Sequence, residues 1–182
     1  MSSPIRAELR IPDIWYDFFT RLLPGYAFWA SIWYLVKGPE EPGTMTAVLA
    51  VPAGYFIALA VQPVTLILIK WLEKQAERGK ESDFVVKIQS LLGPETRRSL
   101  ILSKIGAELT FFSQVVILSL VASAAAFYQK KFSFGFVGII VSCYAAFGAF
   151  TYAKHRVKKA ESYCENANKS ILPSPNNGAA DG

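Results

Sequence analysis

The residues of this chain that could do chemistry are few and scattered. Asp17 and Arg21 lie at i and i+4 in a strongly apolar surround, with Pro24-Gly25 one turn further on. That spacing puts a carboxylate and a guanidinium on one face of a helix, where they can pair. Gln62 and Gln114 sit inside long apolar runs, and Glu108 opens another, one turn after Lys104. An ionisable or amide group at membrane depth costs several kcal/mol unless partnered, so such residues mark candidate sites. Asp17, Arg21, Gln62, Glu108 and Gln114 are therefore the candidate polar membrane site. Two chemistries fit them. They could ring the inner mouth of a pore or ligand cavity, or the three charges could mark where helices cross the water boundary, Arg21 snorkelling to phosphate. Every charge lies near an end of its apolar run and none near the middle. Boundary placement is the expectation.

Enzymatic constellations are missing from the sequence. His155 is the only histidine, set among lysines, and no GxSxG elbow, phosphate-binding glycine loop or dinucleotide fingerprint accompanies it. One histidine with the separated Cys143 and Cys164 does not make a metal-ligand spacing or a disulfide framework. Carboxylates clustered for magnesium are likewise absent from the sequence. The chain reads as a non-enzyme with no catalytic residue, cofactor or metal. Asn168-Lys169-Ser170 matches a glycosylation sequon by chance.

The elements that must position these residues are long helices. Of 182 residues, 52% are hydrophobic and 18% charged, and the charges avoid four stretches: 22–36, 47–69, 109–129 and 132–153. A membrane-crossing helix needs roughly 17–25 apolar residues. The last three qualify, and the first does so by borrowing 14–20 and accommodating Arg21. The expected fold is all-α, an integral membrane four-helix bundle with cytoplasmic helical extensions. Spans are expected at about 14–36, 46–70, 107–128 and 132–153, with a cytoplasmic helical segment at 71–106. Residues 1–169 form one domain, and 170–182, rich in Pro, Asn and Gly, form a disordered tail. The start of the chain lacks a compact apolar core with a small-residue cleavage site, so no secretory signal is read there.

Basic residues set the orientation. Lysine and arginine concentrate before the first span, between the second and third, and after the fourth, whereas "GPEEPG" at 38–43 is acidic. The positive-inside bias puts both termini and the middle segment in the cytoplasm, in an inner (plasma) membrane. The net charge of +5 is then a surface for anionic lipid head groups; no nucleic-acid motif is present.

Within the spans, Pro63 predicts a bend. In "SDFVVKIQSLLGP", Ser82 or Asp83 can cap a short amphipathic helix that Gly93-Pro94 ends. That helix is expected flat on the inner leaflet, with a neighbouring subunit or cytoplasmic protein as the alternative. Ser119, Ser123, Ala122 and Ala126 in span three, and Gly138, Ser142, Ala145, Ala146 and Ala149 in span four, form small-residue ridges. Such ridges let helix backbones approach closely in lipid, and a homo-oligomer is one way to use them.

"YDFFTRLLPG" near the start, "AELTFF" at 107–112 and the basic, tyrosine-containing stretch 154–163 resemble small uncharacterised bacterial four-span membrane proteins. That resemblance implies the four-span topology and carries no activity with it. Size and topology are also analogous to membrane-acting arms of bacterial antiviral systems. The expected function is a non-enzymatic, oligomeric membrane protein, a signal-responsive sensor or pore-forming effector of a bacterial defence or stress system. The alternative is a small-solute or lipid transporter, or a membrane enzyme.

Overall fold

The computed structural model describes the backbone of residues 10–77, 84–92 and 97–171, and the side chains of 20–76, 84–92 and 98–165. Five helices and no strand occur among them: α1 (Arg10–Lys37), α2 (Thr44–Glu77), α3 (Phe84–Leu92), α4 (Arg97–Tyr128) and α5 (Phe132–Ile171). The fold is all-helical. The cap at Ser82 or Asp83, the stop at Gly93-Pro94 and the tail from residue 172 lie outside the described residues. α5 itself runs through Ile171, so residues 170 and 171 of the expected tail are helical.

Among the described residues three helices, not four, are long and apolar enough to cross a membrane: α2, α4 and α5. α1 has the length, about 42 Å for 28 residues at 1.5 Å each. It falls short on apolarity. Arg21 and Lys37 bracket its apolar run, and Tyr26, Trp29, Trp33 and Tyr34 fill part of the run with residues that favour the interface over hydrocarbon. The other three show large apolar side chains around their outer faces, among them Phe56, Ile67, Ile140 and Phe147 at 67–71% exposure. So many exposed large apolar residues exceed what a protein surrounded by water carries.

α4 touches every other helix. α1 packs on α2 and α4, α5 packs on α4 and α2, and no Cα pair of α1 and α5 lies within 8 Å among the described residues. Two tight connections form one end of the bundle, the turn end. At the first, α1 stops at Gly38 (φ +79°), whose N–H donates to the Tyr34 carbonyl; the indole of Trp33 donates to the Glu40 carbonyl at 3.1 Å. At the second, the N–H of Lys130 donates to Phe127 and that of Lys131 to Ala126. That pair of bonds is a Schellman cap, with Lys130 (φ +58°) in the position glycine usually takes. The opposite, basic end carries exposed Lys70, Lys74, Arg98, Lys104, Lys154, Lys158 and Lys159.

The small-residue ridges are used inside the chain. Ser119 and Ser142 hydrogen-bond across α4 and α5 at 2.6 Å, and Ala122, Ala126, Ala145, Ala149 and Ala153 are buried. A Cβ at Gly138 would run into the Ser123 hydroxyl. α1 and α2 cross more closely still. Gly25 and Gly54 meet backbone to backbone, and a Cβ at Gly54 would stand 2.7 Å from the Tyr26 nitrogen. Pro24-Gly25 is thus a crossing point as well as a helix perturbation. Both proline-bearing long helices are continuous through Pro24, Pro52 and Pro63.

Candidate functional site

At the basic end, α2, α4 and α5 run on as single helices past their apolar segments and close around a second core. Val85 and Ile88 of α3 pack with Leu102, Val157 and Ala160. The amphipathic face of α3 is therefore covered by the chain's own α4 and α5. Val86 and Leu91 remain exposed on its other side.

Between this head and the bundle core of Ile69, Leu72, Leu109, Ala149 and Ala153 lies a polar joint. Arg156 of α5 donates from Nη1 to the Glu73 carboxylate of α2 at 2.5 Å and from Nη2 to the Gln89 Oε1 of α3 at 3.3 Å. The Gln89 amide then donates to the Ser103 hydroxyl of α4 at 2.9 Å. One guanidinium thereby ties together four helices. The ion-paired side chains keep only 13% (Arg156) and 11% (Glu73) of their surface exposed. Gly106 supplies the floor, since a Cβ there would meet the guanidinium carbon at 3.2 Å. Nε of Arg156 is buried without a hydrogen-bond partner among the described residues. The planar fork explains why arginine suits this position: it reaches a carboxylate and an amide at once, which a lysine ammonium does less well.

The five candidate residues are not gathered into one site. Gln114 is 1% exposed and donates to the Ala58 carbonyl of α2 at 3.5 Å, and its Oε1 and the neighbouring Ser113 hydroxyl have no partner among the described residues. Ala58 is one turn from Gln62, which is half-buried, so Gln62 lies on the face of α2 that carries Ala58. Glu108 is half-buried and partnered, about 9 Å along α4 from Gln114 at 1.5 Å per residue. Arg21 on α1 is also half-buried and partnered. Asp17 lies on the described helix, but its side chain is outside the described residues. His155 is exposed, as is Cys143, and Cys164 packs against the α3 core. No group of three or more metal-ligating side chains occurs among the described residues.

Glu73, Gln89 and Arg156 are the residues that sequence reasoning missed. Periodicity held the signal. Arg156 continues the inward stripe of Ala149, Ala153 and Ala160, and Glu73 falls beside Ile69, Leu72 and Ala76. A second concavity lies nearer the turn end. It is a largely apolar groove of ≈170 Å³ with α4 as its floor and α1 and α5 as its walls. No family model, curated protein or solved structure matches the chain.

Proposed function

We propose that the chain is a non-enzymatic integral membrane protein whose basic-end helices receive a signal and pass it into the membrane. In this reading α1 is the fourth span, made tolerable by its packing on α2 and α4 and by Trp29 and Trp33 at the interface. Both termini and the head around α3 are cytoplasmic, in a bacterial inner membrane, where the exposed lysines face anionic head groups. The observation that carries the reading is the joint. Glu73, Gln89, Ser103 and Arg156 lock α3 to three helices that continue unbroken into the apolar bundle. A displacement of α3 by a partner at Val86 and Leu91 would act directly on those helices.

Work as a sensor or pore-forming effector of a defence or stress system is the functional class this supports, the system itself by analogy of size and topology. A homo-oligomer remains part of the proposal, with a different contact. The small-residue ridges are consumed within one chain, so the oligomer would use the outer face of α3.

Liposome reconstitution tests the coupling. Wild-type protein should hold an ion gradient, while Arg156→Lys and Glu73→Gln, which loosen the joint, should raise leak at least tenfold. Equal tightness in all three, with melting curves showing folded protein, would refute coupling through the joint. The groove beside α4 favours a second reading, a lipid or small-solute transporter. Solute-specific uptake that is indifferent to the joint variants would select it.

A further inference from the structure

The groove between α1 and α5 continues into a second concavity at the turn end. Its lining segments, Pro24–Ser31 and Phe134–Val141 as walls and Val115–Ala122 as floor, each run about 10 Å at 1.5 Å per residue. Half-open and lined mostly by apolar side chains, such a groove suits a hydrocarbon chain better than a polar guest. Phe134 and Val137 are shared with the outer concavity of ≈550 Å³, which adds Tyr34, Lys130, Lys131 and Ser133. At the border between the two, Tyr34 stacks on Phe134 with centroids 5.6 Å apart. The arrangement is an apolar slot with a cationic, hydroxyl-bearing mouth.

Two features of that mouth want an explanation. Lys130 holds the left-handed cap position (φ +58°), where glycine would be unstrained. A residue kept in a costly conformation points to use of its side chain. Lys130 and Lys131 also run against the charge asymmetry that concentrates basic residues at the other end. Lys131 already donates to the Leu35 carbonyl at the end of α1, yet an ammonium has three donors, so two remain for another acceptor.

We propose that this slot and mouth bind one phospholipid with an anionic head group. The phosphate lies against Lys130, Lys131 and Ser133, and one acyl chain lies between α1 and α5, where their backbones stand apart. The inference rests on the reading that the turn end meets a membrane interface. It places a lipid at the end opposite the basic head.

Native mass spectrometry of the detergent-solubilised protein tests it, titrating phosphatidylglycerol against phosphatidylcholine with the same chains. Wild type should retain one phosphatidylglycerol with at least tenfold preference. Lys130→Gly should abolish most of that preference while melting higher than wild type, which separates lost binding from lost folding. Ala27→Phe, which fills the slot, should weaken both lipids together. Lys158→Gln with Lys159→Gln should remove only loosely held head-group contacts of the basic end and leave the most tightly retained phosphatidylglycerol in place. An unchanged preference in Lys130→Gly, or equal loss in the Lys158 and Lys159 variant, overturns the site. Full competition by soluble glycerol phosphate overturns the acyl slot. Flotation with liposomes separates the two readings: a chain that does not float defeats the membrane reading itself, and one that floats without lipid preference defeats only this site.

Discussion

Removing Arg156 should cost more than any other single truncation at the basic end. Arg156→Ala strands the Glu73 carboxylate, which is 11% exposed, and leaves Gln89 without its charged donor. Breaking a buried ion pair by deleting one partner costs about 3–5 kcal/mol. Residual exposure and nearby Lys70 and Lys74 place this case at the lower end, about 3 kcal/mol. For a chain of this size that is a fall of roughly 6–12 °C in melting temperature. Arg156→Lys keeps the charge and loses one arm of the fork, so about 1–2 kcal/mol is expected. The decisive variant is Glu73→Met with Arg156→Met, which removes both charges and fills similar volume. Such replacement is often neutral or stabilising, so the double variant should melt within a few degrees of wild type. Thermal unfolding in mild detergent, followed by circular dichroism, reads all of these. If the double variant is as unstable as Arg156→Ala, the pair is not a coupled unit and the joint as described is wrong.

Other consequences are simpler to state. Gly54→Ala should destabilise by about 2 kcal/mol or more, because its Cβ would force α1 off α2 at Tyr26; unchanged melting would mean that the crossing is looser than described. Lys130→Gly should stabilise by about 1 kcal/mol by relieving a left-handed non-glycine residue, and a lower melting temperature would contradict the strain. Gln114→Leu should be near neutral or stabilising in melting, since it replaces an amide whose Oε1 has no partner by an apolar group of similar size. A loss above about 2 kcal/mol would show that the amide is held by more than the Ala58 carbonyl.

Long-range pairing explains which features the sequence could show. Apolar runs at 47–69, 109–129 and 132–153 announce α2, α4 and α5 because length and composition act locally. The 83–92 helix is legible for the same reason, and it appears as Phe84–Leu92. What covers it is not, because Val157 and Ala160 lie far along the chain. The fourth span rests on the apolar run 22–36 plus the borrowed residues 14–20, and the aromatic and charged content of α1 leaves it short of the standard that α2, α4 and α5 meet among the described residues. Small-residue ridges showed that backbones approach closely but not whose. Ser119 with Ser142 shows the partner to be the same chain. Glu73 and Arg156, 83 residues apart, each read as one more charge in a basic, solvated segment. Only their registers against Ile69 and Ala153 betray an inward face. Among the five candidate residues, Gln114 reaches across to Ala58 of α2, one turn from Gln62, while Arg21 and Glu108 each stand 11 residues in from the basic end of their helices.

The side on which the chain begins tests the four-span account most directly. α2, α4 and α5 alone put residues 38–43 on one face of the membrane and the basic head on the other, so those positions do not report on α1. Residue 3 does. In a background with Cys143→Ala and Cys164→Ala, single substitutions Ser3→Cys, Glu40→Cys and Ser162→Cys are labelled with an impermeant maleimide in intact and permeabilised cells. The account predicts labelling of Glu40→Cys from outside, and of Ser3→Cys and Ser162→Cys only after permeabilisation. Labelling of Ser3→Cys from outside, together with Glu40→Cys, would show that α1 does not cross and would contradict it.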